Sequence, residues 1–94
     1  SRAERTVGAM FLAKVFVQLR STVNDPQGRT IQGGLRQLGF VTVESVRSGK
    51  YLEIRLDEES EDAAAAKVGE MCEQLLANPI IEDYRFELER VNGS

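Results

Sequence analysis

The stretch from Cys72 to Tyr84 constrains the fold most, because it joins a helix to a strand within a few residues. Three apolar residues continue a stripe at helical spacing: Cys72, Leu75 and Leu76. Pro79 has no N–H and disfavours helical geometry at the preceding residue, so we expect the helix to end there. From Ile80 onward apolar and charged residues alternate, which is the period of a half-buried strand. The helix must therefore pack directly on that strand.

Composition excludes several classes of protein. A chain of 94 residues makes one domain with a small core. One Cys and no His exclude an intramolecular disulfide, argue against a zinc site, and leave no Ser–His or Cys–His pair for nucleophilic catalysis. No run of about 18 apolar residues suggests a membrane span. We expect a cytoplasmic protein that is not catalytic by itself and binds no metal.

Charge is divided unevenly along the chain. Residues 1–56 hold nine Lys/Arg against four Asp/Glu, whereas residues 57–94 hold three against eleven. This division indicates either the two solvated ends of one small domain or two surfaces for partners of different charge. The overall net charge of −3 argues against a nucleic-acid binder, which normally shows a domain-wide basic excess.

The periodicity predicts four strands and two helices. The predicted strands are Phe11–Leu19, Phe40–Arg47, Tyr51–Leu56 and Ile80–Arg90, and the predicted helices are Pro26–Leu38 and Glu61–Ala77. The order is βαββαβ, with a hairpin at residues 48–50, and it predicts a ferredoxin-like α+β fold in which two helices cover one face of an antiparallel sheet. We expect the domain to span residues 10–91. Residues 1–9 would be a disordered leader or an expression remnant, and the Asn-Gly-Ser end would fray.

Helix boundaries carry clear signals. Asp25 before Pro26 is typical of a helix start, Ser60 of a second N-cap, and Gly39 of the residue that follows a helix end. The first helix would present an apolar stripe of Ile31, Leu35 and Leu38. The second would bury Ala65, Val68, Cys72, Leu75 and Leu76, with Ala64 and Met71 beside them. Within this stripe, the spacing favours a core role for the cysteine over a nucleophilic one.

Two surface features remain open to interpretation. Arg47, Lys50 and Arg55 surround the predicted hairpin, either as a solvated rim or as an edge that binds an anion or a partner. Phe16 lies on the second face of the first strand, where a single exposed aromatic residue is ordinary. The alternative is that another copy of the protein covers this face.

Several motifs together resemble a known family. They are Pro26-x-Gly28 before a helix, Leu38-Gly39-Phe40, Val46-Arg47-x-Gly49-Lys50 and the run from Cys72 to Tyr84. Their order and spacing over residues 10–91 resemble PurS, the small subunit of bacterial and archaeal phosphoribosylformylglycinamidine synthase.

The resemblance implies a non-catalytic subunit of an ATP-dependent, glutamine-hydrolysing C–N ligase in purine biosynthesis. This chain would help assemble a large synthetase subunit with a glutaminase subunit and support ammonia transfer between them. It would form a homodimer or homotetramer and hold no cofactor, while the complex uses ATP and Mg. We place partner binding on Pro26, Gly28, Arg47, Gly49 and Lys50. We place self-association on Phe16.

Other functions of the same fold class remain open on the sequence alone. The main alternative is a regulatory domain that binds a small metabolite at a dimer interface. A nucleic-acid-binding domain would need a second aromatic motif beside Phe16. An acylphosphatase-like enzyme would need a glycine-rich anion loop near Arg20 and Asn24, which the sequence lacks.

Overall fold

The computed structural model describes residues 9–91. Its elements are β1 (Ala9–Leu19), α1 (Pro26–Gln37), β2 (Gly49–Glu58), α2 (Glu61–Met71) and β3 (Glu82–Val91). Within the described residues the strands form one antiparallel sheet in the order β2–β1–β3. The α+β class, with an antiparallel sheet and two helices, is confirmed. The expectations for the leader and for the Asn-Gly-Ser end concern residues outside this range, apart from Ala9, which begins β1.

The core lies between β1 and α2. Alternate residues of β1 point into it and are buried: Phe11, Ala13, Val15 and Val17. Ala13, Val15 and Val17 pack against Val68 and Cys72 of the helical segment, and Ala64 on α2 is fully buried as well. Inward residues of the outer strands close the core at its sides, as the alternation predicted: Leu52, Ile54, Leu56, Tyr84, Phe86 and Leu88. Each fully buried valine contributes roughly 1.5–3 kcal/mol through the hydrophobic effect.

The start of α2 matches its sequence signal. The Ser60 hydroxyl oxygen accepts a hydrogen bond from the Ala63 N–H at 3.1 Å. Glu61 and Asp62 occupy the first turn, where carboxylates complement the helix dipole. The acidic run before this helix therefore has a structural role.

The end of this helix differs from the prediction. Residues Cys72–Leu76 form a π-helical turn, in which the Ala77 N–H donates to the Cys72 carbonyl five residues earlier at 3.0 Å. The wider turn shifts the helical phase. Leu75, predicted to be buried, is 82% exposed. Leu76 still packs against the core, so the wider turn takes Leu75 out of the predicted stripe and keeps its neighbour in.

The predicted second strand, Phe40–Arg47, was wrong as an element of this chain's own sheet. Residues 40–48 form turns and irregular structure, and the hairpin expected at 48–50 is absent. Two side chains of α1 donate to carbonyl oxygens of this segment: Gln32 to Glu44 at 3.0 Å and Arg36 to Val43 at 2.9 Å. These bonds draw the segment along α1 instead of along β2.

We call α1 together with residues 38–48 the arm. Gly28 is the only buried residue of α1, whereas Ile31 is 41% and Leu38 is 76% exposed. The predicted apolar stripe of this helix therefore remains largely exposed to solvent. The end of α1 does follow its signal, since Gly39 adopts a positive φ of 103°. The molecule measures 57 × 28 × 19 Å, longer than the roughly 33 Å of a ten-residue strand.

Candidate functional site

The arm meets the sheet at a hydrogen-bonded cluster, which we call the arm junction (Asp25, Gly28, Arg47 and Ser48). Asp25 is 3% exposed, and it caps α1 by accepting from the Gly28 N–H at 3.0 Å. Its carboxylate also accepts from the Ser48 N–H at 2.7 Å and from the Ser48 hydroxyl at 2.9 Å. The hydrogen bonds from Gly28 and Ser48 lower the pKa of Asp25. One carboxylate therefore ties the start of α1 to the end of the returning segment.

Arg47 fixes the loop that follows β1. Its Nη2 atom donates to the carbonyl oxygens of Leu19, Arg20 and Val23, at 3.2, 2.8 and 3.2 Å respectively. The side chain is solvent-accessible, yet its donor atom is directed inward to backbone acceptors. The sequence left this residue as either a solvated rim charge or a partner contact. It could not locate the three acceptors, which precede Arg47 by more than 20 residues.

Two glycines allow close approaches of the backbone at this end of the sheet. A Cβ atom on Gly28 would lie 2.3 Å from the Val46 carbonyl oxygen and 2.7 Å from Asp25 Oδ2. A Cβ on Gly49 would lie 2.5 Å from the Val17 carbonyl oxygen. No side chain fits at either position without movement of the backbone. The junction thus depends on glycine for packing.

The five residues predicted to bind a partner come together at this one end of the sheet. Pro26 starts α1, and Gly28 and Arg47 belong to the arm junction. Gly49 and Lys50 line an open cleft of about 280 Å³, together with Gln27, Ser48, Glu82, Val17 and Leu19. Their proximity is a finding of the structure. Their contact with a partner stays a prediction.

Phe16 lies on the opposite, open face of the sheet. Its ring centroid is 5.1 Å from that of Tyr51, and the Arg85 guanidinium carbon lies 4.0 Å from the ring centroid. Ion pairs occupy the neighbouring positions, with Lys14 to Glu89 at 3.2 Å. The hydrogen bond to this glutamate raises the pKa of Lys14. The open face therefore carries a network of charged side chains around the half-buried ring of Phe16.

Exposed apolar residues concentrate elsewhere. Those on the arm are Ile31, Leu38, Phe40 and Val41, and those around the turn before β3 are Leu75, Ile80 and Ile81. Arg20 holds this turn through the Pro79 carbonyl oxygen and through Asp83, at 3.5 Å. Sequence patterns could not reveal this surface, because Leu38 and Leu75 follow a helical period that predicts burial.

Across residues 9–91, no cluster of His, Cys, Asp or Glu side chains is arranged to hold a metal ion. In the same range, no helix has the length and apolar character needed to cross a bilayer. Burial raises the pKa of the Cys72 thiol, which keeps it protonated and poorly nucleophilic.

Comparisons with known proteins identify the family of this chain. The family model for PurS, phosphoribosylformylglycinamidine (FGAM) synthase, matches residues 12–90. The chain is 45% identical to the PurS subunit of Bacillus subtilis over 82 residues, covering 87% of this chain and 96% of that protein. It is 42% identical to the PurS subunit of Methanocaldococcus jannaschii over 82 residues, covering 87% and 99%.

Solved structures of PurS subunits also match this chain. The PurS subunit of Thermotoga maritima superposes with a TM-score of 0.80 at 33% identity, covering 93% of this chain and 98% of that one. A chain from the structure of PurLQS from the same organism superposes with a TM-score of 0.76 at 35% identity, covering 87% and 98%. Each comparison matches most of the described domain, and the chain belongs to the PurS family of FGAM synthase subunits.

Proposed function

We propose that this protein is the small accessory subunit of FGAM synthase in purine biosynthesis. The observation that carries the proposal is the family match over residues 12–90, together with a similar chain in the structure of PurLQS. The architecture supports it, because within residues 9–91 the conspicuous features are an arm, a cleft and exposed apolar groups. The chain would assemble the large synthetase subunit with the glutaminase subunit and support ammonia transfer between them.

ATP and Mg belong to the large synthetase subunit in this proposal. The chain itself would contribute shape and charge only, and the cytoplasm is the proposed location. This division of labour is consistent with the buried, protonated Cys72 thiol and with an Asp25 carboxylate already occupied by three hydrogen bonds.

We propose that the cleft beside the arm junction contacts one of the two partner subunits. Gly28, Gly49 and Arg47 shape this surface from beneath, since their own contacts are internal. Lys50 is the exposed cation of the cleft, and an acidic group of a partner is the chemistry that it would recognise. Pro26 would orient the start of α1 at the edge of the same surface.

Self-association is the second element of the proposed function. The chain would form a homodimer or homotetramer, and the open face around Phe16 is one surface on which copies could meet. Arg85 and Tyr51 already cover part of that ring. A Phe16→Ala variant measures the contribution of this face directly.

Assembly of the three subunits tests the proposal. The wild-type chain should co-elute with the large and glutaminase subunits in size-exclusion chromatography with light scattering. Lys50→Glu should weaken this assembly, whereas Lys67→Glu, at an exposed position of α2, serves as the matched charge control. Unchanged assembly of Lys50→Glu would place the partner surface elsewhere. Failure of the wild-type chain to assemble would contradict the proposed function itself.

A further inference from the structure

We infer that residues 75–81, which we call the apolar turn, dock on a partner subunit of FGAM synthase, in an apolar pocket bordered by lysine or arginine side chains. Lys50 is the exposed cation of the cleft described above, whereas the apolar turn has acidic neighbours. The inference rests on the proposed function and deepens it, because it gives the chain a second docking surface of opposite charge.

The apolar turn exposes three large apolar side chains. Leu75 is 82%, Ile80 is 81% and Ile81 is 39% exposed. Because Leu75 and Ile80 are five residues apart in the chain, their Cα atoms lie within roughly 18 Å of each other. A protein interface of standard size, about 800 Å² on each partner, can cover both. Large apolar side chains exposed in one small region are typical of an interaction site.

Hydrogen bonds hold the backbone of the apolar turn in one shape. The Asn78 carbonyl oxygen accepts from the N–H groups of Ile81 and Glu82 at 3.1 and 2.7 Å, and Asn78 Oδ1 accepts from the Ile80 N–H at 3.1 Å. The Arg20 N–H donates to the Ile81 carbonyl oxygen at 2.9 Å. A surface that is ordered before binding loses less conformational entropy when it binds. The apolar turn is therefore preorganised for docking.

Neither Leu75 nor Ile80 belongs to the core cluster. The π-helical turn at Cys72–Leu76 takes Leu75 out of the buried stripe while Leu76 still packs against the core. Single π-helical turns of this kind are frequent at functional sites. The chain thus holds two large apolar side chains in water at positions where the core does not need them, which favours a role in binding.

The charges next to the apolar turn indicate the chemistry of its partner. Residues 68–84 contain no Lys or Arg and four acidic residues: Glu70, Glu73, Glu82 and Asp83. Arg20 reaches this region from the loop after β1, but it pairs with Asp83 at 3.5 Å. Basic side chains around a partner's pocket complement these acids and steer association. A second copy in a two-fold contact would instead place the acids against themselves, which disfavours that occupant.

Serine substitutions test this surface, because its exposed side chains can be changed without disturbing the core. Leu75→Ser and Ile80→Ser are compared with Gln74→Ser, at an exposed polar position of the same π-helical turn. Far-UV circular dichroism and urea midpoints confirm that each variant is folded. The readout is the dissociation constant from sedimentation, with the large subunit, the glutaminase subunit and both together as the titrants, in the presence of ATP, Mg and glutamine.

Leu75→Ser and Ile80→Ser should each weaken binding to the partner by about tenfold or more, the effect of losing about 1.4 kcal/mol. Gln74→Ser should stay within about twofold of wild type, because polar residues at the edge of an interface contribute little. Glu73→Gln keeps an acceptor for the Tyr84 hydroxyl and removes one negative charge. It should slow association with the partner at low ionic strength and have less effect at high ionic strength.

Four outcomes would overturn the inference. If both serine variants bind the partner subunits as the wild type does, the apolar turn is not a docking surface, while the subunit role stands. If they lose self-association instead, measured by sedimentation of the chain alone, the occupant is a second copy. If Glu73→Gln associates at the wild-type rate at low ionic strength, the partner's pocket is not basic. If the wild-type chain binds neither subunit nor the pair, the proposed function fails and the inference fails with it.

Discussion

Replacing Gly28 by alanine tests the arm junction most sharply. Alanine normally stabilises a helix relative to glycine by up to about 1 kcal/mol. At this position, however, the new Cβ would lie 2.3 Å from the Val46 carbonyl oxygen and 2.7 Å from Asp25 Oδ2. Neither neighbour is the free end of a flexible side chain, because one is backbone and the other is held by Ser48.

The size of the effect follows from these opposing contributions. Overpacking of a tight site costs about 1–3 kcal/mol, and separating the Asp25 carboxylate from its donors adds to that cost. We expect Gly28→Ala to lower the free energy of unfolding by about 1–2 kcal/mol after the helical gain is subtracted. For a domain of this size, each kcal/mol lowers the melting temperature by roughly 4–8 °C.

The same helix provides matched controls. A Cβ atom added to Gly33 or Gly34 would meet no atom within 4 Å beyond the helix's own backbone, so alanine at either should raise the free energy of unfolding by about 0.5–1 kcal/mol. Urea and thermal melts followed by circular dichroism, at several protein concentrations, separate stability from association. Stabilisation of Gly28→Ala equal to that of the controls would refute the close approach at the junction.

Three further predictions concern the junction and the core. Because the pKa of Asp25 is lowered in the folded protein, its carboxylate stabilises the fold above its ordinary pKa near 3.8. This stabilisation is lost as pH falls through the lowered pKa. Urea midpoints should therefore fall with acidification in wild type and less so in Asp25→Asn. A variant with the same acid dependence as wild type would contradict this assignment. Val68→Ala, at a fully buried position, should cost about 2 kcal/mol, whereas an effect below about 0.5 kcal/mol would show a looser core. The buried Cys72 thiol, whose pKa is raised, should react with a chromogenic thiol reagent only after urea unfolding, and rapid labelling of the native protein would count against its burial.

Local sequence signals predicted the starts of both helices and the end of α1 well. Asp25, Ser60 and Gly39 each act over three or four residues through hydrogen bonds or backbone geometry, so their neighbours in sequence are their neighbours in space. The alternation of β1 and β3 likewise placed the core face correctly. These features are local or periodic, and periodicity is what a sequence displays directly.

Long-range contacts decided the features that were missed. The segment 40–47 has a strand-like pattern, but Gln32 and Arg36 bind its carbonyls, and no local pattern encodes those bonds. Leu75 follows a helical period until the π-helical turn shifts the phase. For the segment 40–47 the strand propensity was present and the tertiary context changed its outcome, whereas Leu75 was displaced by the wider local turn.

The sequence motifs singled out residues that the structure brings together, but they did not indicate which contacts those residues make. Gly28, Arg47 and Lys50 stood out as motif residues, and the structure brings them to one end of the sheet. Two of them turn out to make internal contacts: Gly28 through a close backbone approach and Arg47 through three carbonyl oxygens. Residues of a motif can therefore support a surface from within as well as contact a partner.

Glutamine-dependent synthesis of formylglycinamidine ribonucleotide is the most direct test of the central claim. The large and glutaminase subunits are supplied with formylglycinamide ribonucleotide, ATP, Mg and glutamine, with and without this chain, and ammonia replaces glutamine in a parallel reaction. The account predicts that glutamine-dependent product formation requires this chain, that ammonia-dependent formation does not, and that the chain alone is inactive. Full glutamine-dependent activity in its absence would contradict the account.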